Sequence, residues 1–261
     1  MKMNIKEKFI KSLKEGYIKY LTIHARSYEK IVPMHKCIAQ ILKEKLGSEY
    51  TIKSMGVGDN NEFKFEGKYY EKDLDITILK DGKPISALGF KFVTSNYKQN
   101  SNNYFENMLG ETANVKRNDL LYGQILILKE KMPYYSSDKK QYTKIEKINE
   151  KNLKKYFKLV TDNAENLYHK PDIMFIAFIK TGDEERIVKA IEDEEVIQNK
   201  KEFNVNNLLP LVENNGITFI DPDDLEENFS DEMIDFLKKY SNFEKFIDAF
   251  VNLTKGKTYG K

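Results

Sequence analysis

An α/β fold, in which helices flank a mixed central β-sheet behind a helical N-terminal region, is predicted by three observations. Apolar residues recur at helical spacing over the first part of the chain. A run alternating apolar and polar residues then turns back on itself at Lys80-Asp81-Gly82-Lys83. Two nearly continuous apolar runs, residues 120–128 and 173–179, have the content of strands buried on both faces. The order helix, helix, hairpin, helix, strand, helix, strand belongs to an α/β core. At 261 residues the chain reads as one domain, helical over 1–50, a core over 60–180 and mainly helical over 181–261.

Each element has its own warrant. Residues 4–21 place Ile5, Phe9, Ile10, Leu13, Tyr17 and Leu21 on one helical face. Residues 29–46 do so with Ile31, Met34, Ile38, Ile41, Leu42 and Leu46, and Gly47 supplies a stop. Residues 48–68, with S-M-G-V-G-D-N-N-E, read as loop until Phe63 and Phe65 begin to alternate; Gly56-Val57-Gly58 reads as a turn, since no Lys-Ser/Thr follows to make a phosphate loop. Leu74, Ile76 and Ile78 then form the outgoing arm of the hairpin, and residues 85–93 the returning arm. Residues 94–103 are a polar segment that leads into a helix from about Ser101 through Tyr104, Phe105, Met108, Leu109 and Thr112. The lysine- and tyrosine-rich residues 129–149 read as a surface excursion, 151–167 as an amphipathic helix, 183 onward as helical and acidic, 217–220 as a short strand and 231–253 as one closing helix. The tail after 253 reads as frayed.

Composition narrows the class. No apolar run is long enough to cross a bilayer and the N-terminus has no signal-like hydrophobic region, which predicts a cytoplasmic protein without a membrane partner. The single cysteine, Cys37, excludes an internal disulfide and a cysteine-rich zinc site, and reads as a small core residue. Lys and Arg number 43 against 41 Asp and Glu, so charge alone does not announce a nucleic-acid partner. Its distribution is compatible with one, because residues 91–118 are basic whereas 183–195 and 221–235 are acidic.

Chemistry concentrates in the hairpin. Lys91 lies among apolar neighbours on the returning arm and needs a partner. Asp75 on the outgoing arm is that partner, since residues on adjacent strands project from a shared face. Asp172 and Lys180 at the later apolar run are a weaker rival: eight residues apart with no turn between them, they stand at opposite ends of one strand. His24 and His35 read as isolated structural or surface residues, with no second ligand at helical spacing. Glu44 reads as part of a solvated helix face, and Glu62, Glu66 and Glu71 as strand charges, any of which is able to add a carboxylate to the hairpin.

An Asp at the start of one strand, a turn, and a lysine on the returning strand resemble the PD-(D/E)xK nuclease superfamily. The triplet here is Gly89-Phe90-Lys91, without the second acid. In this respect the chain resembles the restriction endonucleases that read CCGG-type sites, which place the missing glutamate on the following helix. Glu106 stands fifteen residues after Lys91, with Gln99-Asn100 between them. The resemblance covers about forty-five residues and implies a restriction-endonuclease-like core, a type II site-specific deoxyribonuclease, double-stranded DNA as partner and a homodimer matched to palindromic sites. It implies Asp75, Lys91 and Glu106 as catalytic residues, with Asp75, Glu106 and the Phe90 carbonyl holding Mg2+ through hard oxygen ligands. Glu111, offset by five residues, is the alternative to Glu106. DNA contacts are expected from Ser95, Asn96, Lys98, Gln99, Asn100, Asn102, Asn103, Lys116 and Arg117. The arginine-rich run of the CCGG subgroup is replaced by Ser95-Asn96-Tyr97-Lys98, so a different target, richer in A·T, is expected. Two alternatives stand beside this: a catalytically inactive nuclease fold that only binds, and a low-specificity nuclease of repair or antiphage defence.

Overall fold

Asn4 starts the first helix with a reciprocal cap. Its side chain accepts from the Glu7 N–H at 2.8 Å, and the Glu7 carboxylate accepts from the Asn4 N–H at 2.9 Å, satisfying two donors that a helix start otherwise leaves bare. The computed structural model describes residues 3–23, 28–135, 142–184, 186 and 208–257. His24, much of the acidic segment after 183 and the end of the tail lie outside the described residues. Helix α1 (Ile5–Thr22) and helix α2 (Val32–Leu46) form the expected N-terminal pair. Pro33 sits in the first turn of α2, where its missing N–H costs nothing. Gly47, with φ of 100°, ends that helix.

The architecture is α/β. Among the described residues ten strands follow: β1 (Tyr50–Ser54), β2 (Phe63–Glu66), β3 (Glu71–Leu74), β4 (Ile76–Lys80), β5 (Lys83–Val93), β6 (Leu121–Lys129), β7 (Lys131–Tyr135), β8 (Tyr142–Lys147), β9 (Ile173–Lys180) and β10 (Thr218–Phe219). Six make a mixed sheet in the order β1-β4-β5-β6-β9-β10, while β2-β3 and β7-β8 are separate ribbons. Strands β5, β6 and β9 are parallel and the outer pairings antiparallel. The β4–β5 turn falls where the sequence places it: Asp81 and Gly82 both have positive φ, at 50° and 74°, as the two-residue turns that match strand twist require. Every residue of β6 is buried, as expected of a central parallel strand.

Five further helices among the described residues are α3 (Tyr97–Lys116), α4 (Glu150–Thr161), α5 (Leu209–Asn215), α6 (Asp231–Tyr240) and α7 (Phe243–Gly256). One face of the sheet, with Leu88, Phe90, Ile125 and Phe175, packs on α1, α2 and α7 through Phe9, Leu13, Ile38, Phe243 and Phe250. The other, with Val93, Leu126, Leu128 and Ile176, packs on α3, α4 and α6 through Met108, Tyr156 and Phe236. None of the described helices is long and apolar enough to cross a membrane.

Four expectations are corrected. Residues 50–54 are a strand inside the expected loop, with Tyr50, Ile52 and Ser54 inward. Helix α3 begins at Tyr97, not near Ser101, because Asn96 adopts a left-handed conformation (φ 55°, ψ 31°) that turns the chain directly into it. In the expected surface excursion Lys129, Met132 and Tyr134 are buried. The closing helix is two helices: Ser241 ends α6, and the Asn242 side chain accepts from Lys245 N–H at 2.9 Å to start α7.

Candidate functional site

Asp75 is the pivot at which one extended segment leaves the small ribbon and enters the main sheet. Residues 71–74 pair with β2, and residues 76–80 with β1 and β5. The β4–β5 ladder begins at Ile76↔Leu88. Beyond it the Phe90 N–H donates to the Asp75 carboxylate Oδ2 at 2.6 Å instead of to a strand carbonyl. Ser54 at the end of β1 donates to the Asp75 carbonyl at 2.8 Å. Asp75 is thus held from both flanking strands, its carboxylate by β5 and its backbone by β1. The N–H and C=O of a strand residue leave on the same side, so the Phe90 carbonyl faces the Asp75 side as well.

Around this carboxylate the fold gathers groups from separate segments. His35 of α2, Glu62 from the turn before β2 and Asp75 offer ligand atoms that all lie within 4.8 Å of one another. The His35 Nδ1 to Glu62 Oε1 distance is 4.0 Å. The imidazole is fully buried and stands edge to face with Phe90, ring centroids 5.4 Å apart. Neither of its nitrogens has a hydrogen-bond partner. Burial pushes the His35 pKa down, with Lys91 acting in the same direction and Asp75 against it. Burial and the charges of Asp75 and Asp73 push the Glu62 carboxyl up to about 7, opposed by Lys72 and Lys91. Lys91, half-buried on β5, thus acts electrostatically on both His35 and Glu62, and it has no ion pair within 4.0 Å among the described residues.

Gly89 explains the missing acid in physical terms. A Cβ at this position meets Tyr122 Oη at 2.5 Å and the Gln124 carboxamide at 2.6 and 2.8 Å. The room a second acid would enter is filled from β6, where Gln124 lies opposite Gly89 in the register. Tyr122 Oη donates to Glu111 Oε1 and accepts from Gln124 Nε2 at 3.3 Å. Glu111 Oε2 in turn pairs with Lys72 Nζ at 3.2 Å. Burial works against the Lys72 charge, but Glu111 and Asp75 outweigh it and raise its pKa.

The structure joins Asp75 to the Phe90 N–H, sets Lys91 next to Phe90 on β5 without an ion pair to its expected partner Asp75, and leaves Glu106 out. At 100° per residue Glu106 stands about 160° around α3 from the inward Met108, whereas Glu111 stands about 60° from it. Glu106 is exposed and its charge acts on Lys155 of α4. Glu111 is the α3 carboxylate turned towards the sheet. Glu66 and Glu71 are exposed, Glu71 pairs with Lys64 at 3.1 Å, and Glu44 pairs with Lys8 at 3.3 Å. Asp172 is held by Lys116 at 2.6 Å and by the Tyr122 N–H at 2.8 Å, away from Lys180.

The expected DNA contacts divide into two groups. Ser95, Asn96, Lys98, Gln99, Asn100, Asn102 and Asn103 cluster at the start of α3; Lys116 and Arg117 lie at its other end, about 27 Å from Lys98 at 1.5 Å per residue. Several are already engaged within the fold. Lys98 pairs with Glu146 at 3.5 Å, the Asn102 side chain accepts from Lys155 at 3.0 Å, and Arg117 lies 4.6 Å from the centroid of the Tyr168 ring. Gln99 and Asn103 are exposed.

His35 is the group that sequence reasoning missed: its partners come from 27 and 40 residues away in sequence, so no local spacing marks it. Comparison with known proteins finds no family model, curated protein or solved structure that matches the chain.

Proposed function

We propose that this chain is a metal-dependent endonuclease that hydrolyses phosphodiester bonds of double-stranded DNA, acting as a homodimer at a short site. The observation that carries the reading is Asp75. Its carboxylate is locked by the Phe90 N–H at the point where two strands part, with Lys91 on the next residue and Glu62 and His35 converging from other segments. Carboxylate oxygens and a carbonyl suit a divalent cation able to polarise a phosphate, and a lysine adds positive charge for its oxygens.

The donor set fits a divalent cation. Ligands on one ion bonded at about 2.1 Å stand about 3 to 4.2 Å apart, and the three ligand atoms approach that spacing. Asp75, Glu62 and His35 would hold the ion, with the Phe90 carbonyl available as a further oxygen. Bound there, a divalent cation such as Mg2+ stabilises negative charge on the phosphate and lowers the pKa of a water. The Lys91 ammonium supplies a fixed positive charge for the phosphate oxygens and a donor to orient the attacking water. Lys72, steadied by Glu111, adds a second cation whose charge interacts with Asp75.

The filled space beside Gly89 favours a second reading, an inactive nuclease fold that binds DNA without cutting it. Incubation with supercoiled plasmid and with long phage DNA separates the readings, using Mg2+ or Mn2+ with an EDTA control. Discrete bands support a site-specific enzyme and a smear a low-specificity nuclease. Retained DNA binding with intact strands selects the inactive fold. Asp75→Asn and Lys91→Met are expected to abolish cleavage, and full activity in both overturns the assignment.

A further inference from the structure

We infer that His35 is a direct ligand and that the site selects a first-row transition-metal dication, for which Mn2+ is the test ion, over Mg2+. The inference deepens the nuclease reading by naming the metal class of its site. Yet it stands on an observation of its own: a histidine buried to 0 % exposure whose two nitrogens both lack a partner. A buried imidazole left bare loses the hydrogen bonds it had in water, at about 1–3 kcal/mol for each unsatisfied group. Such groups are rare in folded chains and call for an explanation.

The surroundings of the ring specify that explanation. On one side lies the Phe90 ring, which satisfies no nitrogen lone pair. On the other are two carboxylates, Glu62 with Oε1 at 4.0 Å from Nδ1, and Asp75. An ion between them bonds all three and gives one of the two bare nitrogens a partner. The neutral imidazole is the ligating form, and burial holds His35 in that form. Glu62 takes the part that the β5 acid plays in the signature sequence. Gln124 and Tyr122 close the position beside Gly89, and the carboxylate instead arrives from the turn before β2.

One nitrogen among oxygens changes which ion is favoured. Carboxylates, carbonyls and water suit Mg2+ and Ca2+, whereas imidazole raises the affinity for first-row transition ions. Mg2+ also holds its waters tightly and needs several of them in a near-ideal octahedron. A ring nitrogen bound to the ion takes the place of one of those waters. The expectation of Mg2+ drawn from hard ligands alone therefore changes once His35 joins the set.

The test measures binding, without reference to DNA. Titration of the full chain with Mn2+, followed by electron paramagnetic resonance, is expected to give one site per chain, and Mg2+ is expected to displace the ion only at concentrations at least about tenfold higher than those of Mn2+. Electron spin-echo modulation from a directly bound nitrogen is expected on the Mn2+ signal of the unaltered protein, which needs no variant to fold. His35→Ala, its fold checked by circular dichroism, is expected to weaken Mn2+ by tenfold or more and Mg2+ much less. Absence of the nitrogen modulation, equal losses for both ions, or tighter Mg2+ binding in the unaltered protein overturns the inference. Selective Mn2+ binding with a nitrogen ligand but no cleavage of any DNA supports it while refuting the nuclease reading.

Discussion

Replacing Lys129 by Met tests whether the end of the central strand is held by a buried charge. Lys129 and Asp183 are both fully buried, with Nζ and Oδ1 2.5 Å apart. Tyr17 Oη donates to Asp183 Oδ2 at 2.7 Å, and Thr181 Oγ1 donates to Oδ1. Burial pushes the Asp183 carboxyl up, but the Lys129 charge and these hydrogen bonds bring it below its usual value. Met fills the space of the lysine stem and leaves Asp183 charged without its counter-ion, a loss of about 3–5 kcal/mol. The Tyr17 and Thr181 donors remain, which places the expected cost at the lower end, about 3 kcal/mol, or a fall in Tm of about 6–12 °C for a chain of this size. The pH dependence follows from the two signs. In the unaltered protein the depressed carboxyl contributes stability above its unfolded value of about 3.9, lost only as pH falls through the folded value. In the variant burial dominates and the folded value rises, so that the contribution survives at low pH and is lost as pH rises through it. Urea denaturation at pH 5 and pH 8 should show a deficit that grows with pH, and Lys129→Met/Asp183→Asn should recover most of it. A deficit below about 1 kcal/mol at pH 8, or one equal at both pH values, refutes the reasoning.

Gly89→Ala is expected to cost about 1–3 kcal/mol by overpacking against Tyr122 and Gln124; unchanged urea denaturation would show the position to be open. Asn114→Ala removes the side chain that accepts from the Tyr69 N–H at 2.8 Å and donates to the Tyr70 carbonyl at 3.0 Å. A loss of about 1–3 kcal/mol and of amide-exchange protection confined to the β2–β3 ribbon is expected, and unchanged protection at residues 67–72 would count against the role.

What the sequence discloses depends on how local the cause is. The β4–β5 hairpin is legible because its turn needs two residues with positive φ, and Asp-Gly supplies them. Strand β6 is legible because burial on both faces demands an unbroken apolar run. Strand β1 is not, since it pairs on one side only, with β4, and three inward residues in Y-T-I-K-S leave a weak alternation. Lys129 misleads for the opposite reason: a lysine reads as solvent-exposed unless its partner is known, and Asp183 is 54 residues away. At the site, the pairing of Asp75 with Lys91 expected across the hairpin is not formed: the β4–β5 register ends at Ile76↔Leu88, and Asp75 is bonded by the Phe90 N–H instead. Glu106 fails because it rests on the spacing of the resemblance: on α3 it stands opposite the buried Met108 and faces outward.

Glu62 provides the sharpest separation between a structural and a ligand-binding role. Its carboxyl is raised to about 7 by burial and by Asp75 and Asp73, so ionising it opposes folding. For a raised carboxyl the contribution is intact below the unfolded value of about 4.3 and is lost as pH rises through the folded value near 7. Metal-free protein should therefore carry the full penalty at pH 8 and little of it at pH 4.5. Glu62→Gln removes the ionisation, and is expected to stabilise the metal-free chain at pH 8 while leaving it near the unaltered protein at pH 4.5. A residue kept for packing shows no such gain. Added Mn2+ reverses the order, because an ion bound to the charged carboxylate stabilises the unaltered protein by mass action and the amide much less. Thermal denaturation at both pH values, with and without Mn2+, reads all four states. A Glu62→Gln chain less stable than the unaltered protein at pH 8 without metal, or one stabilised equally by Mn2+, would remove Glu62 from the ligand set and leave Asp75 to be explained by other groups.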